Sequence, residues 1–228
     1  MPEAPDAVRE LASDPTSRKR FLRQAGGTGV AASLAAFIAA CGGDSSPSSS
    51  SKAKSTPTST SMASTSGTEQ FGKGDLGIAN YALTLEYLET EFYKRAAESG
   101  MLKGKLLETA KRFGAEEQAH VEALTALIKK AGGTPADRPK AKFPLESQGA
   151  ILKLAATVEN LGANAYLGQA PNIKDKEILA AALSIHSVEA RHAAVLNLAT
   201  KGAPSPKAFA AGASADQVLK AVKPFLVS

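Results

Sequence analysis

From residue 75 onward, apolar positions recur at steps of three and four, the spacing that lines one face of a helix. The first run, DLGIANYALTLEYLETEFYKRAAESG at residues 75 to 100, opens on Asp75 and stops at Gly100. The second, KLLETAKRFGAEEQAHVEALTALIKKAGG, spans Lys105 to Gly133, with Lys129 and Lys130 in its last turn and two glycines beyond. Residues 134 to 146 are rich in proline and charge and read as a long connection. A third helix is predicted from Ser147 or Gln148 to about Gln169, and a fourth from about Lys174 to Lys201, after APN and before GAPSP. The tail SADQVLKAVKPFLVS carries a Ser214 cap and one short amphipathic helix, expected on the outside of the bundle. The pattern is all-α: a four-helix bundle at residues 75–201 with one long crossover, followed by a C-terminal extension at 202–228.

The stripes that should be apolar carry polar residues in a repeated order. The fourth helix shows Ile185, Glu189, His192, Leu196 and Ala199 at steps of four, three, four and three, and the second shows Phe113, Glu117, His120, Leu124 and Leu127 at the same steps. The first helix has Glu86 with Tyr93 two turns on, and the third has Glu159 with Tyr166 two turns on. Corresponding residues are offset by 73 positions for the first Glu and the Tyr, and by 72 for the second Glu and the His. Four matches in register point to two pseudo-symmetric helical hairpins.

Four carboxylates facing one another in a core would repel and lose hydration, at a cost of several kcal/mol per ion unless compensated. No Lys or Arg lies on the inner stripes. Two divalent cations would balance four carboxylates, two neutral imidazoles would complete the set, and such oxygen-plus-imidazole sites suit Fe or Mn. One Glu from each of two helices, with Glu-x-x-His from each of the others, is the pattern of dinuclear carboxylate centres. Glu89, one turn after Glu86, is an alternative ligand on the first helix. Glu116 and Glu122 fall off the inner stripe and are expected in solvent. His186, three residues before Glu189, is close enough to reach the site, and a hydrogen-bonded histidine between helices is the simpler expectation.

Composition matters mainly for the first third of the chain. The 228 residues are 43% hydrophobic and 5% aromatic, but the N-terminal part is too polar and small-residued to add to a core. The net charge of +5 is spread through the sequence, which argues against a nucleic-acid partner. A single cysteine excludes an internal disulfide and a Cys-only metal site. Residues 1–40 hold SRKRFLR and then a mildly apolar stretch, interrupted by Gly, Thr and Ser, which is a signal peptide and falls short of the roughly 20 apolar residues of a membrane-spanning helix. Ser17, Arg18, Lys19, Phe21, Leu22 and Arg23 resemble a twin-arginine signal, with Lys19 where that pattern has its second Arg; an ordinary secretory signal is the alternative. Ile38, Ala39, Ala40 and Cys41 resemble a bacterial lipobox, which implies acylation of Cys41 and a lipid anchor in the cell envelope. Residues 41–74, rich in Ser and Thr, cannot offset their ordering entropy by burial and read as a flexible tether.

The helices and their Glu and His positions resemble the ferritin-like domain of exported bacterial proteins. The resemblance implies Glu86 and Glu159 as ligands from the first and third helices, Glu117 and Glu189 as bridges, and His120 and His192 as the imidazole ligands. It implies two Fe ions, or Mn, as cofactor. Tyr93 resembles a tyrosine whose hydroxyl orients a ligating carboxylate; Tyr166 is either its counterpart or core packing. Implied activities are oxidation of Fe(II), reduction of O2 or peroxide, or manganese-catalase chemistry. The alternative is a stress-protective binding protein, similar to desiccation-associated ferritin-like proteins, in which metal only stabilises the bundle. No Cys-x-x-Cys pair is present, so the iron–thiolate module of rubrerythrins is missing. A tethered domain suits a monomer or small oligomer better than a closed shell.

Overall fold

The computed structural model describes residues 66–227. The expectations for Arg18, Lys19, Phe21, Leu22, Cys41 and the tether as far as residue 65 fall outside the described residues.

Four long helices follow the apolar periodicity: α1 at Gly74–Glu98, α2 at Gly104–Lys130, α3 at Gln148–Gln169 and α4 at Lys176–Ala199. Local chemistry sets their ends. At α2, Gly132 takes the left-handed φ of 78° that side-chain-bearing residues avoid, and the amide of Gly133 returns to the carbonyl of Ile128 at 2.9 Å. The Ser147 hydroxyl caps α3 by accepting from the amide of Ala150 at 3.2 Å. At α4 the Asp175 carboxylate accepts from the amides of Glu177 and Ile178 at 2.8 and 3.0 Å. That cap starts α4 two residues later than the spacing predicts. α4 also ends earlier, at Ala199, with Lys201 at a φ of 64°.

α1 packs most extensively on α2, and α3 on α4, so the chain folds as two hairpins. Asp75 at the start of α1 accepts from the amides of Lys174 and Asp175, and Lys130 at the end of α2 meets Glu177 at 2.7 Å. The start of α1, the end of α2 and the start of α4 therefore share one end of the bundle. Since α3 runs into α4 through a short 3-10 turn at Ala170–Asn172, α3 begins at the opposite end, and the connection from α2 to α3 must travel the bundle's length. Asn80 steadies its first part, donating to the carbonyl of Thr134 at 3.0 Å and accepting from the amide of Ala136 at 2.8 Å.

The short helix α5, Ala215–Val222, has the expected Ser214 cap, closed reciprocally by Gln217. It lies against α3 and buries Ala215, Val218 and Val222. Beyond it the tail pairs with the crossover: the amide of Lys142 donates to the carbonyl of Phe225 at 2.8 Å, and that of Val227 to Lys140 at 3.0 Å. At the other end, Ser66–Phe71 forms a 3-10 helix inside the segment read as tether. Phe71 explains it, because its ring meets Tyr81 at 5.9 Å and its carbonyl accepts from Asn80 at 3.3 Å. Among the described residues no helix is long and apolar enough to cross a membrane.

The core falls into two apolar clusters. One holds Leu88, Phe92, Phe113, Ile151 and Leu196, the other Ile78, Leu124, Ile128, Tyr166 and Ile178. On α2 and α4 the polar stripe residues, Glu117 with His120 and Glu189 with His192, sit between the stretches that feed the two clusters.

Candidate metal centre

Each long helix delivers its polar residues to this middle layer. Glu86, Glu117, Glu159 and Glu189 are all 0% exposed, and His192 is 2% exposed. Their ligand atoms form two overlapping groups, within each of which all lie within 4.8 Å of one another. Glu86, Glu117, His120 and Glu189 form one, and Glu117, Glu159, Glu189 and His192 the other. Glu117 and Glu189 belong to both. The Glu-x-x-His spacing brings this about, because residues three apart on a helix share a face.

The tyrosines cross between the hairpins. Tyr93 on α1 donates its hydroxyl to Oε1 of Glu159 on α3, and Tyr166 on α3 donates to Oε1 of Glu86 on α1 at 2.5 Å. Tyr166 is thus the counterpart of Tyr93 rather than packing alone. With Oε1 engaged, the other oxygen of each carboxylate faces an imidazole: Glu86 Oε2 lies 3.2 Å from His120 Nδ1, and Glu159 Oε2 lies 3.3 Å from His192 Nδ1.

The inward atoms want a cation. Glu117 Oε1, Glu159 Oε2, both oxygens of Glu189 and His192 Nδ1 are buried and make no well-aligned hydrogen bond, although His192 Nδ1 stands within ion-pair distance of Glu117 and Glu159 and His120 Nδ1 of Glu189. Burial pushes Glu86 up to about 7 and holds Glu189 well above the usual carboxylate range, the charge of Glu86 adding to the latter. Burial would raise Glu117 too, but the two imidazoles beside it outweigh this and bring it to about 2. Burial opposes charging His120, yet Glu117, Glu189 and Glu86 raise it to about 12; Glu117 and Glu159 likewise raise His192 to about 10. The carboxylates therefore hold positive charge at the Nδ1 positions. Divalent ions supply the same charge and let the imidazoles bind through their lone pairs, so the donor set fits divalent metal ions.

Three neighbours complete the site. Glu116, expected in solvent, is half-buried, and its Oε2 accepts from His192 Nε2 at 2.6 Å. Spacing along α2 places it off the inner stripe; what it faces is α4, which a single-helix pattern does not show. The readable signal was the second nitrogen of His192, which needs an acceptor. Glu122 is exposed, as expected. Glu89 is 5% exposed and stands outside both ligand groups, with burial and then the charge of Glu189 raising it well above the usual range. It fits because Gly162 faces it: a Cβ there would lie 2.9 Å from Glu89 Oε1 and 2.8 Å from Glu189 Oε2. His186 donates Nδ1 to the carbonyl of Ala163 at 3.0 Å and joins α4 to α3, outside both groups.

The model of the ferritin-like domain family matches residues 74–202, more than half of the chain. Among solved structures, a conserved hypothetical protein from Mycobacterium tuberculosis is 17% identical with a TM-score of 0.52, over 59% of this chain and 96% of that one. A hypothetical protein from Methanococcus jannaschii is 14% identical with a TM-score of 0.42, over 63% and 91%. No curated protein matches in sequence. The first likeness speaks for the fold alone; the family match spans all four long helices and both ligand groups, and the chain belongs to the ferritin-like domain family.

Proposed function

We propose that the bundle holds a dinuclear centre of Fe, or Mn, which oxidises Fe(II) or reduces O2 or peroxide. The observation that carries this reading is the pair of overlapping ligand groups sharing Glu117 and Glu189. Glu86 and His120 would hold one ion, Glu159 and His192 the other, and the shared carboxylates would span both. Four carboxylates and two divalent ions are neutral together, which removes the cost of burying either alone. When bound, such ions supply one-electron redox steps that no side chain of this cluster supplies. Tyr93 and Tyr166 hold Glu159 and Glu86 by one oxygen each, so that the other stays aimed inward. The apolar clusters on either side keep water from the layer. Protons on the imidazoles leave as metal enters, so loading is favoured by rising pH.

The complete burial of the four carboxylates favours a second reading, in which the metal only braces the bundle. The full chain, purified with its own metal, separates the two. Rapid O2 or peroxide consumption supports the redox centre; bound metal with a large rise in melting temperature and no turnover supports the brace. Absence of metal from a folded chain contradicts both.

The signal-like segment, the lipobox-like residues and Cys41 support export and lipid anchoring on the outer face of the cell membrane or in the periplasm. Neutral residues at Arg18 and Lys19 should block export of the folded chain; unchanged export would contradict the twin-arginine route. Cys41→Ser should release the protein from the membrane fraction.

A further inference from the structure

The halves repeat their ligands, but not what stands behind the imidazoles. His192 is gripped from several sides. Nε2 donates to Glu116 at 2.6 Å, and Phe113 stacks on the ring with centroids 3.8 Å apart and planes 21° apart. Arg112 braces the carboxylate, its Nε donating to Glu116 Oε1 at 3.1 Å. A neutral ring that donates from Nε2 keeps its lone pair on Nδ1, which faces Glu117 Oε1 at 2.9 Å and Glu159 Oε2 at 3.3 Å.

His120 lacks this support. Its side chain is 12% exposed against 3% for His192, and among the described residues no carboxylate is hydrogen-bonded to its outer nitrogen. The residues 72 positions after Arg112, Phe113 and Glu116 are Ser184, Ile185 and Val188. The guanidinium, the aromatic face and the accepting carboxylate are all absent from the second copy of the motif.

We propose that the two ion positions are unequal: the one at Glu159 and His192 is the tightly held position, the one at Glu86 and His120 is the exchangeable position, and Glu116 is the positioning residue that separates them. This rests on the dinuclear reading. A carboxylate behind a ligating imidazole fixes its tautomer and orientation, and its loss commonly lowers metal affinity 10–100-fold. The exposed edge of His120 also gives its ion the shorter way to solvent. The exchangeable position is where a divalent ion, Fe(II) as substrate included, would enter and leave.

The test is a titration of the full chain, stripped of metal, with Mn(II), the free ion being counted by electron paramagnetic resonance. The wild type should bind two ions in steps at least tenfold apart. Glu116→Ala should weaken the tighter step about 10–100-fold and leave the weaker one unchanged, while Glu116→Gln, which still accepts a hydrogen bond, should recover most of the loss. Val188→Glu, which offers His120 the carboxylate it lacks, should tighten the weaker step and gives a second test if Glu116→Ala folds poorly. Two equal steps in the wild type, or Glu116→Ala weakening both steps alike or neither, would overturn the inequality and leave the dinuclear reading standing. No Mn(II) bound by a folded wild-type chain would overturn that reading and the inference with it.

Discussion

The α1–α2 and α3–α4 hairpins carry one motif twice, and comparing them separates what the centre requires from what surrounds it. The Glu, the Tyr, the second Glu and the His all recur at offsets of 73 or 72 residues, and each tyrosine hydroxyl reaches the carboxylate of the opposite hairpin. Symmetry fails one layer further out. Glu116 has Val188 as counterpart, and Glu89 has Gly162. The second difference is steric, since the missing side chain at Gly162 leaves room for Glu89 and Glu189 together. A repeated ligand set thus sits in an unequal setting, with both extra carboxylates supplied by the first hairpin.

The largest change should come from removing what the halves share. Glu117→Ala with Glu189→Ala should abolish binding of both ions, read as metal per chain by elemental analysis, because each carboxylate belongs to both groups. Next is the steric asymmetry. Gly162→Ala puts a methyl within 2.9 Å of two buried carboxylate oxygens and should destabilise the chain by about 1–3 kcal/mol in denaturant unfolding. Glu89→Ala should relieve part of that loss when combined with it; additive losses would mean that the two sites do not share space.

The tyrosine pair tests the symmetric part. Tyr93→Phe and Tyr166→Phe each strip a donor from a buried carboxylate and should cost similar amounts, about 1–3 kcal/mol each. A loss at only one would break the equivalence of the halves.

Protons act on the cluster as a whole. Glu86 is raised from 4.5 to about 7 by burial, and a raised group binds more protons folded than unfolded. Its contribution is complete below about pH 4.5 and is lost as pH rises through about 7. The raised imidazoles act in the same direction at higher pH, from about 6.5 up through about 10 and about 12. Glu117, lowered to about 2, contributes above 4.5 and loses its contribution as pH falls through about 2. Stability of the metal-free chain should therefore decline from mildly acidic to alkaline pH, and bound divalent ions should remove most of that slope in urea titrations at several pH values. The smallest effect belongs to the surface. Lys130→Ala breaks only an exposed ion pair with Glu177 and should leave the melting temperature within error.

Much of this was legible in the sequence because the centre sits where helical periodicity is most informative. A Glu or His on an otherwise apolar stripe must face the core, and its recurrence at a fixed offset places the partner helix. The six side chains picked out this way are the ones brought into the two overlapping groups. Contacts between non-consecutive helices were harder to read. Glu116 lies beside the stripe and faces α4, and the choice for Tyr166 between a counterpart of Tyr93 and core packing turns on its hydroxyl meeting Glu86 on α1. The Ser66–Phe71 turn went unread because a single aromatic, Phe71, fixes it among residues of tether composition. Pairing of the tail with residues 140–142 has no local pattern at all, being set by where the crossover passes.

The most direct measurement of the central claim is anomalous diffraction from crystals of the full chain grown with Mn(II). Two peaks per chain are expected, both bounded by Glu117 and Glu189, one reached also by Glu86 and His120 and the other by Glu159 and His192. A single peak, or a cluster whose carboxylates and imidazoles hold protons and no metal, would contradict it.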